Sequence, residues 1–164
     1  MKGRLLLGIK KVNKCQFFFP FSGGIWPDNL TLLETYSPTN LTFPKVSSIK
    51  ELEIERPCKC NGDKDFNLAD LNFTNLDNLE YLEFFRCPKL TRLPPNAFRS
   101  AKKLKKLELD YNKLKTIDKD ALKGLTELEV IDLSKNYKLT ELPNGFFGNA
   151  PKLQEIDISH ANLG

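Results

Sequence analysis

A stacked-repeat architecture is the fold expected of this 164-residue chain. Three features lead to it: an apolar pattern recurring every 24 to 30 residues, a second apolar column in phase with it, and a polar position at fixed register. Leu104, Leu107, Leu109, Asn112 and Leu114 return 24 residues later as Leu128, Ile131, Leu133, Asn136 and, one place late, Leu139. A further 25 residues on stand Leu153, Ile156, Ile158 and Leu163. Going back by 25 gives Leu79, Leu82, Phe84, Cys87 and Leu90. Going back another 30 gives Ile49, Leu52 and Ile54, with Pro57 at the polar position, and a weaker start lies around Leu30 and Leu32. The second column has Phe43, Phe73, Phe98, Leu122 and Phe147 six residues before each start, with Val46, Leu76, Ala101, Leu125 and Ala150 three before. A unit of this length cannot bury its apolar side alone, whereas several stacked units share one continuous core.

The unit LKKLELDYNKL, with LEVIDLSKNYKL and LEYLEFFRCPKL, resembles the leucine-rich repeat family pattern L-x-x-L-x-L-x-x-N/C-x-L. LTRLPPNAF and LTELPNGFF resemble the type common in animal extracellular receptors, closest to Toll-like receptor ectodomains, and the Gly-x-Ile-Pro step of the plant type is missing. The resemblance covers residues 27–164 and implies an α/β leucine-rich repeat solenoid. This is curved and right-handed, with one short parallel strand per repeat on a concave face and irregular or short-helical segments on the convex side. The first, fourth and sixth positions then point inward, Asn112 and Asn136 bond backbone groups where the chain turns, and the Phe column fills the convex side. About six repeats are expected in 27–164, ending at an uncapped carboxyl-terminal repeat that invites self-association. Residues 1–26 are a basic and apolar segment that reads equally as a poor secretory signal or a truncated start.

Composition narrows the function classes. The chain is 40% hydrophobic and 28% charged, as soluble globular proteins are. No apolar run approaches the length of a membrane-spanning helix. A net charge of +4, scattered and without an aromatic RNA-reading motif, does not point to nucleic acid. His160 is the only histidine and stands just past the last strand position, while Ser134 and Ser159 share what reads as an exposed column with no triad register. No phosphate-binding loop, dinucleotide turn or kinase signature occurs, so the residues point away from an enzyme and from any cofactor. A zinc site is disfavoured, since Cys58-Lys-Cys60 is tighter than usual ligand spacing and His160 lies four repeats downstream.

Asn29, Asn40 and Asn72 each begin an Asn-x-Thr sequon, which expects a glycoprotein if the chain is secreted. Cys15, Cys58, Cys60 and Cys87 allow three pairings. Two readings stay open for Cys87: a disulfide to Cys58 or Cys60, with Cys15 taking the remaining thiol, or a reduced cysteine standing in for the repeat asparagine.

The third, fifth and seventh positions of each strand face the expected concave surface. The fifth reads Glu53, Glu83, Glu108, Asp132 and Asp157, acidic throughout. The third includes Tyr81 and Lys106, and the seventh Phe85 and Asp110. With strands about 4.8 Å apart, neighbouring carboxylates in such a column repel by roughly half to one kcal/mol before salt screening. The column is either a solvated face or a docking strip for a basic segment of a protein ligand, with Tyr81 and Phe85 as aromatic anchors. Lys102, Lys103, Lys105, Lys119, Lys123 and Lys152 lie off the strands and read as solubility charge. The functional expectation is a non-catalytic protein-binding module from an animal cell-surface receptor ectodomain of Toll-like type. The alternative is a cytoplasmic scaffold with reduced cysteines.

Overall fold

A computed structural model describes residues 3–6, 30–35, 49–55, 68 and 75–164. Its main sheet has seven parallel strands among these residues. They are β1 (Gly3–Leu6), β2 (Leu30–Thr35), β3 (Glu51–Glu55), β4 (Tyr81–Phe85), β6 (Lys106–Glu108), β8 (Val130–Asp132) and β9 (Glu155–Asp157), side by side in chain order. Two shorter strands, β5 (Arg92–Leu93) and β7 (Thr116–Ile117), pair separately on the flank. Parallel neighbours in chain order, each one repeat further along, are what the 24-to-30-residue period requires. The β1 strand falls within the basic amino-terminal segment and pairs with β2, extending the sheet by one strand beyond the periodic region.

From β3 to β9 the register carries no shift, so residues one period apart stand side by side. Leu52, Leu82, Leu107, Ile131 and Ile156 form one row, and Glu53, Glu83, Glu108, Asp132 and Asp157 the adjacent one. Leu79, Leu82, Phe84 and Leu90 are sealed from water, as are Leu104, Leu107, Leu109 and Leu114, and Leu128, Ile131, Leu133 and Leu139. Full burial of each such side chain stabilises by roughly 1.5–3 kcal/mol, and only the neighbouring repeats make it possible. The second apolar column is buried at Leu76, Phe98, Ala101, Leu122, Leu125 and Ala150.

In the last repeat this column shifts by one residue. Phe146 is buried and Phe147 only partly so, because a 3₁₀ turn at Phe146–Asn149 rotates the two rings, which meet at 4.9 Å. No α-helix occurs among the described residues.

The polar position behaves as the resemblance implies. Asn112 is buried; its Oδ1 accepts from the Cys87 N–H at 2.7 Å, and its Nδ2 donates to the Phe84 and Leu109 carbonyls at 2.7 and 2.9 Å. Asn136 repeats the two donations, to the Leu109 and Leu133 carbonyls at 2.8 and 2.9 Å, and accepts instead from the Leu114 N–H at 3.1 Å. Cys87 holds the same place one repeat earlier, with its Sγ 3.6 Å from the Ile54 carbonyl, the group equivalent to those the asparagines bond across the repeat boundary. Cys15, Cys58 and Cys60, and the sequons at Asn29, Asn40 and Asn72, lie outside the described residues.

Candidate functional site

Strand alternation sends the third, fifth and seventh positions to one side of the sheet, here called the strand face. The burial of β4, β6 and β8 alternates accordingly. The structure brings Glu53, Tyr81, Glu83, Phe85, Lys106, Glu108, Asp110, Asp132 and Asp157 together on this face. It does not make them equivalent.

The five acidic residues divide by side-chain length. The shorter aspartates reach back to their own chain: Asp132 Oδ1 accepts from the Ser134 N–H at 2.7 Å, and Asp157 Oδ1 from the Ser159 N–H at 2.8 Å. These are Asx turns that close the strand, and the Ser159 N–H holds the Asp157 carboxyl below its ordinary range. Ser134, expected in an exposed column, is buried. Its small side chain sits in a turn whose carbonyl accepts from the Tyr111 N–H at 3.2 Å.

The longer glutamates build a side-chain network. Lys106 Nζ lies 2.6 Å from Glu108 Oε1 and 5.5 Å from the centre of the Tyr81 ring. The Tyr81 hydroxyl donates to Glu108 Oε2, and its oxygen is 3.3 Å from Glu83 Oε2. Burial, reinforced by Glu108 and Glu53, pushes the Glu83 carboxyl up to about 7. Burial, then Asp132 and Glu108, also raises Asp110, and burial together with the bond to Glu108 raises the Tyr81 phenol.

The aromatic anchors differ from expectation. Tyr81 and Phe85 are half-buried, one beneath Lys106 and the other beneath Arg86, whose guanidinium carbon is 4.8 Å from the Phe85 centroid. The exposed ring beside them is Tyr111, edge-on to Phe85 at 5.4 Å and flanked by Arg86 at 5.3 Å and Lys135 at 4.2 Å. Tyr111 belongs to a column that includes Arg86, Lys135 and His160, all with φ between 53° and 57°. This left-handed turn folds the eighth position back over the end of its strand. The sequence held a trace of this in the regular spacing of the four residues, but none is glycine, so the turn was not legible.

One rim of the sheet follows the opposite charge rule. At the second repeat position stand Lys50, Glu80, Lys105 and Glu129, alternating in sign, followed by the neutral Gln154. Glu80 pairs with Lys50 at 3.2 Å and with Lys105 at 2.9 Å, and these bonds lower the Glu80 carboxyl. Beside it Lys152 pairs with Glu127 at 2.7 Å, and Lys103 donates to Asn78 at 2.6 Å. Three lysines of the set read mostly as solubility charge thus bridge repeats, at the modest worth of exposed pairs. Among the described residues no cluster of His, Cys, Asp and Glu is arranged to hold a metal ion. No helix among them is long and apolar enough to cross a membrane.

A family model described as "Leucine rich repeat" matches residues 85–137. No curated protein sequence matches the chain. Among solved structures, the chain is similar to one in the Drosophila Toll–Spatzle complex, with a TM-score of 0.57 and 20% identity, covering 79% of this chain and 17% of that one. It is also similar to one in the mouse RP105/MD-1 complex, with a TM-score of 0.52 and 23% identity, covering 82% of this chain and 22% of that one. The chain therefore spans about a fifth of the length of the chains it matches. With zero-shift parallel register, an asparagine ladder and these two likenesses, the chain has the leucine-rich repeat solenoid fold seen in the Toll and RP105 complexes, and its residues 85–137 match the leucine-rich repeat family itself.

Proposed function

We propose that this chain is a non-catalytic protein-binding module from an extracellular receptor ectodomain of Toll-like type, acting in signalling or innate immunity. Its strand face takes a cationic segment of a protein ligand. The observation that carries this reading is the contrast between two columns of one sheet. The second position alternates in sign and is internally paired, as a column shaped by stability would be. The fifth is acidic from Glu53 to Asp157 on a protein of net charge +4. Repulsion within it is offset in part by Lys106. The two similar structures were solved as complexes, with Spatzle and with MD-1, which supports a protein ligand for this solenoid.

A decalysine peptide is a suitable probe. Changing Glu53, Glu83 and Glu108 together to Gln is expected to weaken its binding at least tenfold while leaving folding intact or slightly improved. Glu80→Gln with Glu127→Gln, on the alternating rim, should leave the affinity within twofold. Binding should also fall steeply with salt, because a one-signed face steers over only about 10 Å at ordinary ionic strength. Affinity indifferent both to the triple change and to salt would move the site off the strand face. The extracellular placement carries its own expectation, that Asn72 is glycosylated when animal cells secrete the chain. Peptide mass mapping that finds Asn72 unmodified would count against it.

A further inference from the structure

We propose that Glu83 is a proton-holding carboxyl whose ionisation switches the charge of the strand face. The argument starts from a proton count. A phenol carries one proton, yet the Tyr81 oxygen meets two carboxyl groups, hydrogen-bonding Glu108 Oε2 and standing 3.3 Å from Glu83 Oε2. The proton that goes to Glu108 is unavailable to Glu83. A hydrogen bond at the second contact then takes its proton from the other partner: a neutral Glu83 donates to the Tyr81 oxygen while Tyr81 donates to Glu108.

The surroundings favour the same assignment. The Lys106 ammonium on the neighbouring strand is committed to Glu108, with its Nζ 2.6 Å from Oε1. Among the described residues no cation lies within ion-pair distance of Glu83. On one side β3 presents Glu51 and Glu53, with Glu55 at the register of Phe85; on the other β6 presents Lys106, Glu108 and Asp110. On its own strand Glu83 lies between Tyr81 and Phe85. Two carboxylates at matching register and a half-buried position all penalise a further negative charge, in keeping with the rise of Glu83 to about 7.

The consequence for recognition rests on the proposed binding of a cationic segment. Such a partner favours the ionised form, so its binding expels the Glu83 proton, and acidification releases the partner. If only the ionised form binds, apparent affinity falls by up to about tenfold per pH unit below the Glu83 midpoint and levels off above it.

Carbon-13 NMR of the full chain, labelled at glutamate carboxyls and assigned by loss of one resonance in Glu83→Gln, reads the proton directly. A Glu83 midpoint near 7 is expected, whereas one in the ordinary range of about 4 to 5 overturns the proposal. Tyr81→Phe separates the two directions of the hydrogen bond. Loss of the oxygen that accepts from neutral Glu83 should lower the midpoint, whereas a raised midpoint would show that Tyr81 donates to Glu83 and overturn the assignment. Decalysine affinity across the same pH range should rise toward alkaline pH in the wild type and stay flat through neutrality in Glu83→Gln. A midpoint near 7 with no decalysine binding at any pH would overturn the partner reading and leave the proton on Glu83 in place.

Discussion

Asn112 and Asn136 show how far one side chain can serve two repeats. Each sits in the dry interior with its amide fully engaged, and both donate to the same Leu109 carbonyl, at 2.9 and 2.8 Å. Replacing Asn112 with Ala removes its bonds to the Cys87 N–H and the Phe84 carbonyl, at a cost of about 3 kcal/mol for two buried hydrogen bonds. The shared carbonyl makes the two sites interdependent. Chemical denaturation of Asn112→Ala, Asn136→Ala and the double variant should show a coupling of about 0.5 kcal/mol or more. Strict additivity would mean that the ladder consists of separate bonds. The asparagine positions were plain in the sequence because they interrupt an apolar pattern at a fixed place. The difference between Glu83 and Asp132 was not, because one methylene decides whether a carboxylate reaches the backbone N–H two residues on.

At the scale of an element, β8 and β9 end where an Asx turn and the left-handed eighth position meet. Asp132 holds the Ser134 N–H, and Lys135 follows at φ 56°. Asp132→Ala removes the acceptor and should destabilise by about 1 kcal/mol, while Asp132→Asn keeps an oxygen in place and should cost less than half as much. Thermal denaturation of the two variants checks this. Equal losses would show that the charge, rather than the hydrogen bond, matters at this turn. The acidic column therefore mixes two roles, with the aspartates closing strands and Glu108 bonding neighbouring side chains, Lys106 on its own strand and Tyr81 on the next.

On the scale of the whole molecule, β9 is an edge of the seven-stranded sheet. Ile156, which holds the inward fourth position, is 44% exposed there, and Leu163 is 37% exposed. The same row is sealed at Leu82, Leu107 and Ile131. Each exposed side chain forgoes part of the roughly 1.5–3 kcal/mol of full burial, and an open strand edge offers unpaired backbone groups as well. The 164-residue polypeptide prepared by itself is expected to self-associate through this edge, and Ile156→Lys should weaken that association by tenfold or more. Sedimentation equilibrium decides. A wild-type polypeptide that stays monomeric at high concentration, or association that Ile156→Lys leaves unchanged, would reject the edge as the contact.

Periodicity carried the architecture, because a solenoid is nearly one-dimensional: each repeat touches only its neighbours, so the spacing of Leu104, Leu107 and Leu109 against Leu128, Ile131 and Leu133 already sets strand order and register. The inward columns, the asparagine ladder and membership of the acidic row follow from that spacing once the unit is matched to the leucine-rich repeat pattern. What the spacing left open is how side chains on one face share protons and charge, since this depends on distances across strands rather than along the chain. The pairing of Lys106 with Glu108, the cover over Tyr81 and Phe85, the exposure of Tyr111 and the exchange of Phe147 for Phe146 each turn on a rotamer or a turn angle. A repeat pattern fixes which residues are neighbours. Packing decides which of those neighbours bond.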